Sequence, residues 1–183
     1  GVCAGGWAMG LEAFRNRRRG FARARLVLVP RHPERFRAAR EAAEAEGWTV
    51  RSRSQSSGPA SYDVLIGDTM GELMAMFGLG QIALVGGSLV PIGGHNVLEP
   101  AALGMPVLFG PHRQSFRAAG DALVEAGGGW EIHDAPTLAA QITKLWTNTE
   151  TARAAGAAAR EVVRRNQGAV TRAVAAVDAI EVV

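Results

Sequence analysis

The chain has 183 residues, 48% hydrophobic and 20% charged, with a net charge of +3; this is a globular balance and excludes a disordered polypeptide. Its length suits one ordinary domain or two small ones, with enough chain to bury a core. Cys3 is the only cysteine and the four histidines are scattered, which excludes a disulfide framework and a cysteine or histidine metal site, and no apolar run approaches the ~20 residues of a membrane span.

The N-terminal stretch Gly1–Gly10 lacks the basic start and long apolar run of a secretory signal, so a cytoplasmic location is expected, with peripheral membrane contact left open. Nineteen of the 20 basic residues are Arg. Arg15, Arg17, Arg18 and Arg19 form a basic run that reads as a solvated helix face or as a phosphate- or membrane-surface patch.

In chain order, Leu11-Glu12-Ala13-Phe14 reads as helix and Arg25–Pro30 (RLVLVP) as a short apolar strand. Glu34–Gly47 is Ala- and Glu-rich with a glycine stop, which predicts a helix. Trp48–Ser52 predicts a strand, Ser52–Ser61 a polar loop, Asp63–Ile66 an apolar strand and Met70–Gly78 a short helix. Gln81–Val85 is a predicted strand and Asn96–Leu103 a helix; Met105–Phe109 is a strand and Ser115–Ala126 a helix. Gly129–Ile132 and Pro136–Trp146 repeat the pair, and two Ala-rich helices, Glu150–Arg165 and Gly168–Val183, finish the chain. Strands apolar on both faces and separated by helices imply a doubly wound α/β domain with a parallel sheet covered on both sides. In such folds ligands bind beyond the carboxyl ends of the strands.

The segment Gly86–Ala101, GGSLVPIGGHNVLEPA, carries the densest signal. A strand runs into Gly86-Gly87-Ser88, and Gly93-Gly94 opens onto His95-Asn96 and a helix. Glycines admit close backbone approach, and a helix start offers N–H groups to an anion. Asn96 and Glu99 also have capping-box spacing, which needs no ligand. The functional reading places phosphate at the helix start and ribose hydroxyls at Glu99. Thr69 and Glu72 form a second capping box after Gly67-Asp68, and Asp68 or Glu72 is a candidate for binding hydroxyls or activating an acceptor. Arg31 follows a strand end and suits a phosphate or carboxylate. Gly110-Pro111-His112 ends the next strand, with His112 placed to face the same crevice, and His133 stands at another strand end with no partner legible. A GKS/T phosphate loop is absent, as is G-x-G-x-x-G after the first strand, which argues against a nucleoside triphosphatase and a dinucleotide dehydrogenase.

Together, Pro30–Arg35 (PRHPER), Gly67–Leu73 (GDTMGEL), Gly86–Ala101 and Gly110–His112 (GPH) resemble, in order and spacing, motifs of the C-terminal half of Kdo transferase. This is the 3-deoxy-D-manno-octulosonic acid transferase family of lipopolysaccharide assembly. The resemblance runs from Leu11 to the C-terminus, leaving residues 1–10 unmatched and 11–183 as one CMP-sugar-binding, Rossmann-like domain. It implies the C-terminal half of a GT-B glycosyltransferase that moves Kdo from CMP-Kdo to a lipid A precursor at the cytoplasmic face of the inner membrane. It assigns donor binding to Arg31, Gly71, Asn96 and Glu99, with Gly93, Gly94 and His95 shaping the phosphate site and Ser88 nearby. No cofactor, metal or nucleic acid is implied.

Val97 stands where the family has Pro, and Ser115 where it has Asn. The family opens this domain with a strand and a Ser-Thr-His turn that Gly1–Gly10 lacks. In a 3-2-1-4-5-6 sheet that strand is central, so its loss predicts a hole. The family's acceptor site and general-base carboxylate belong to an N-terminal domain absent here, so these 183 residues are expected to be inactive alone. A UDP-sugar transferase half and a non-catalytic nucleotide-binding remnant are the alternatives.

Overall fold

The computed structural model describes residues 4–18, 24–55, 61–91 and 96–178. Helices and strands alternate: α1 (Ala4–Arg18), β1 (Leu26–Leu28), α2 (Phe36–Ala45), β2 (Val50–Ser52), β3 (Val64–Ile66), α3 (Leu73–Gly78) and β4 (Ala83–Val85). After these come α4 (Leu98–Ala102), β5 (Val107–Phe109), α5 (Arg117–Glu125), β6 (Gly129–Glu131), α6 (Ala135–Thr147) and α7 (Thr149–Asp178).

Among the described residues every strand pairing is parallel, and the central strands β3 and β5 are buried throughout. Hydrogen bonding divides the strands into two three-stranded sheets, ordered β1-β3-β2 and β4-β5-β6. Side chains alternate across β5. Val107 and Phe109 face a core shared with α4, α5 and α7, whereas Leu108 faces one shared with α1, α6 and α7. Phe109 meets Phe116 edge-on, with ring centroids 5.7 Å apart, a favoured aromatic geometry. In the first sheet Leu28, Val64 and Ile66 pack against Leu11 and Phe14 of α1 and Ala39 and Ala43 of α2.

The helix α1 joins the halves. Leu11 and Phe14 belong to the core of the first sheet, while Ala13 and Met9 pack into that of the second. It runs without interruption through residue 10.

Four local differences from the sequence reading have physical causes. The C-terminal helices expected to break near Gly168 are one 30-residue helix, α7; a glycine inside a helix costs only about 1 kcal/mol relative to alanine. The helix predicted from Met70 starts at Leu73, because Gly71 adopts φ +80° and interrupts it. The helix predicted from Glu34 begins as a 3-10 turn, Pro33–Arg35, set by the fixed φ of Pro33. The one predicted from Ser115 likewise opens as a 3-10 turn, Gln114–Phe116. Among the described residues no helix is long and apolar enough to cross a membrane.

Candidate functional site

The loops that leave β1, β3, β4 and β5 hold nearly all the candidate residues, since in a parallel sheet the carboxyl ends lie on one edge. The packing of α3 on α4 brings the loops after β3 and β4 together across the two sheets.

After β1, Pro30 is buried while Arg31 and His32 are exposed. The Arg35 amide donates to the His32 carbonyl at 2.9 Å, which turns the chain directly behind them. Arg31 has no hydrogen-bond or ion-pair partner among the described residues, so its guanidinium is available to an anion.

After β3 the loop is tied to the end of β2. Asp68 accepts from the Ser54 amide at 2.8 Å and from the Ser54 hydroxyl. Partial burial works to raise the Asp68 pKa, but the Ser54 hydrogen bonds outweigh it and hold the carboxyl below its usual range. Glu72 accepts from the Thr69 hydroxyl and from Arg53 Nη2 at 3.0 Å. The Thr69 bond first, then the Arg53 charge, lowers its pKa. The expected Thr69 capping box is therefore not formed: Thr69 donates to the Glu72 side chain, and Glu72 stands at the N-cap without capping. Asp68 and Glu72, considered above as binders of hydroxyls, brace this loop through those bonds. Gly71 is exposed at the tip of the turn, and its positive φ favours glycine there.

After β4 the 3-10 turn Gly86–Leu89 enters the core, with Gly86, Gly87 and Ser88 buried. Ser88 is fully buried. Its hydroxyl donates to the Val85 carbonyl at 2.6 Å and accepts from the Gly110 amide at 2.7 Å. The Ser88 carbonyl accepts from the His112 amide at 2.9 Å. The side chain thus faces inward and fixes the loop after β4 to the loop after β5. Gly110 permits this contact: a Cβ there would lie 2.4 Å from the Ser88 carbonyl oxygen. His112 follows, half-buried beside the crevice.

At the start of α4, the Asn96 side chain accepts from the Leu98 amide at 3.0 Å. This is a local side-chain turn ahead of the helix, whose N-cap is Val97 with no side-chain cap, so the reciprocal box expected between Asn96 and Glu99 is not formed. Leu98 N–H is taken and Pro100 has none, so α4 offers an anion fewer amides than its position suggested. It is also only five residues long, with a correspondingly small dipole. Glu99 is half-buried in its first turn. Gly93, Gly94 and His95 lie outside the described residues.

Sequence reading missed two groups. Arg53 and Ser54 brace the loop after β3 from 19 and 14 residues away in sequence. Arg113, directly after the GPH segment, pairs with Asp121 and, at 2.8 Å, with Glu131. Glu131 also lies 3.4 Å from His133, the partner that histidine lacked in the sequence. A lone Arg beside a strand end was the available signal, but its partners lie 8 and 18 residues on. Among the described residues no three His, Cys, Asp or Glu side chains are grouped to hold a metal ion.

Parallel strands alternating with helices, with their loops gathered at the carboxyl ends of the strands, define a Rossmann-like α/β domain. The solved structure of the C-terminal CMP-Kdo binding domain of WaaA from Acinetobacter baumannii is similar, with a TM-score of 0.82 and 31% identity over 88% of this chain and 85% of that one. The chain belongs to the 3-deoxy-D-manno-octulosonic acid transferase family, as its C-terminal domain. It is 42% identical to that transferase of Haemophilus influenzae over 149 residues, 80% of this chain and 35% of the relative. With the Bordetella pertussis transferase it shares 35% identity over 173 residues, 93% of this chain and 40% of the relative. It thus spans well under half the length of these curated relatives. No family model matches it.

Proposed function

We propose that this chain is the donor-binding half of a Kdo transferase and holds CMP-Kdo in the crevice beyond β1, β3, β4 and β5. The likeness to the Acinetobacter domain, over 85% of that domain's length, carries the reading. In this reading Arg31 is the cation for the donor phosphate, and the unpartnered guanidinium supports it. Asn96 sets the start of α4, the Glu99 carboxylate accepts from sugar hydroxyls, and Gly71 lets the loop after β3 approach the donor. Gly93, Gly94 and His95 complete the phosphate site.

The full reaction would transfer Kdo to a lipid A precursor at the cytoplasmic face of the inner membrane. Arg31 would stabilise charge on the departing CMP. The acceptor hydroxyl needs a general base; both crevice carboxylates after β3 are engaged by Ser54, Thr69 and Arg53. We therefore expect these 183 residues alone to bind donor without turnover, the acceptor and the base belonging to a partner domain.

Thermal melts with CMP and with UDP test the reading. At 100-fold excess over Kd a ligand stabilises by about 2.7 kcal/mol, a rise of about 5–11 °C for a domain this size. CMP should produce it, UDP should not, and Glu99→Ala should abolish it. A melt unmoved by CMP, or moved equally by UDP, refutes the assignment.

A further inference from the structure

The turn that carries His112 is mostly exposed, yet it is held at both ends. On one side the His112 amide donates to the Ser88 carbonyl at 2.9 Å. On the other, the Phe116 amide donates to the Arg113 carbonyl at 3.0 Å, and the Phe116 ring packs on Phe109. Between these anchors the Arg113 side chain supplies a third. Its Nη1 donates to Asp121 on α5, and its Nε lies 2.8 Å from Glu131 Oε2 at the end of β6. Gly120 leaves room for the guanidinium against α5, since a Cβ there would sit 3.2 Å from Nη1. Glu131 is itself held from a second side, with its Oε1 3.4 Å from His133 Nε2. One planar group thus ties the turn to two further elements, and a lysine ammonium, a point charge, could not reproduce that fork. Asp121 is 59% exposed and Glu131 29%, and ion pairs this open to solvent add little to overall stability. Their effect falls on the placement of the turn. The His112 imidazole has no hydrogen-bond or ion-pair partner among the described residues, so a free side chain stands on a fixed backbone beside the crevice.

We propose that Arg113 is a positioning residue for donor binding: by linking Asp121 and Glu131 it fixes the turn after β5 so that the His112 imidazole is already placed to donate to the donor phosphate. The inference rests on the donor-site reading and gives Arg113 no contact with the ligand. The division of labour follows from the partners. The Arg113 Nη1 and Nε are taken by carboxylates of this chain, whereas Arg31 and His112 are unpartnered among the described residues. A side chain held in its binding geometry beforehand loses less conformational freedom when the ligand arrives, and affinity rises without a new contact.

The test measures CMP affinity by calorimetry in the 183-residue protein, for wild type, His112→Ala, Arg113→Met and the double variant. Each single substitution should raise Kd about tenfold, and the double variant should be no weaker than either single, because Arg113 acts through His112. Independent effects would multiply to about 100-fold. Arg113→Lys should behave like Arg113→Met and not like wild type. In the protein without ligand, amide hydrogen exchange at His112 should quicken at least about tenfold in Arg113→Met, while the Ala83 amide, held by Pro106, is unaffected. Asp121→Ala cuts one prong of the fork at an exposed site, where substitutions disturb folding little. It carries both measurements should Arg113→Met not fold: CMP should weaken about threefold, with no further loss in the His112→Ala background, and exchange at His112 should quicken. Multiplied losses, wild-type affinity in any of the single variants, or unchanged exchange at His112 would each overturn the inference. A wild type that fails to bind CMP removes the donor-site reading and this inference with it. Failure of the cycle with wild-type binding intact removes the inference alone.

Discussion

Replacing Ser88 with alanine isolates the tie between the loops after β4 and β5. The side chain is fully buried, and its hydroxyl serves the Val85 carbonyl and the Gly110 amide together. Removing one oxygen leaves little cavity, so the cost lies in polar groups. A buried donor left without its acceptor costs about 1–3 kcal/mol, and the Val85 carbonyl also loses a bond. We expect Ser88→Ala to destabilise by about 2 kcal/mol, lowering Tm by about 4–8 °C, because 1 kcal/mol is worth about 2–4 °C in a domain of this size. Urea unfolding should show a lower midpoint with an unchanged slope, since the exposed surface does not change. CMP should still stabilise the variant, more weakly, because the hydroxyl does not face the crevice. A Tm within 1 °C of wild type would refute the structural tie. A normal Tm with CMP binding abolished would show instead that the hydroxyl reaches the ligand.

Gly110→Ala attacks the same contact from the other side. Its Cβ would lie 2.4 Å from the Ser88 carbonyl oxygen, so destabilisation should reach or exceed the upper end of the about 1–3 kcal/mol typical of overpacking; circular-dichroism melts that match wild type would contradict the geometry. The bracing of the loop after β3 predicts a pH dependence. Asp68 and Glu72 have folded pKa values below their ordinary 3.8 and 4.5, so their contribution is complete above those ordinary values and is lost as pH falls through the depressed ones. Wild type should therefore exceed Arg53→Ala in stability near neutrality and converge with it in acid, read by urea unfolding at a series of pH values. A difference that widens in acid would have the wrong sign.

Strand existence was legible in the sequence because VLI, ALV and VLF are apolar runs too short for helices and bounded by turn residues, which decides for strand where periodicity alone cannot. The loop positions of Arg31, Gly71, Asn96 and His112 followed from those strands. What the sequence hid was the use made of each side chain. Thr69 and Glu72 have capping-box spacing, but Gly71 delays the helix, and Arg53, 19 residues earlier, recruits the carboxylate. Ser88 lies amid a glycine-rich anion-site pattern, yet its partner amide is 22 residues away on the next strand. Spacing describes neighbours along one element; these bonds connect different elements.

The candidate site draws on both sheets, Arg31 and Gly71 from the first, Asn96, Glu99 and His112 from the second. Their separation therefore depends on what holds the sheets together, and among the described elements α1 packs into the cores of both. Leu11, 4% exposed, anchors α1 to the first sheet. Leu11→Ala should cost about 2–5 kcal/mol through lost burial and a cavity. Leu123→Ala on α5, fully buried in the second sheet's opposite core, should cost a similar amount without touching α1. If sheet separation governs the crevice, Leu11→Ala weakens CMP binding well beyond Leu123→Ala when both are compared below their melting temperatures by calorimetry. Equal affinities in the two variants would show that α1 stabilises the fold without setting the site.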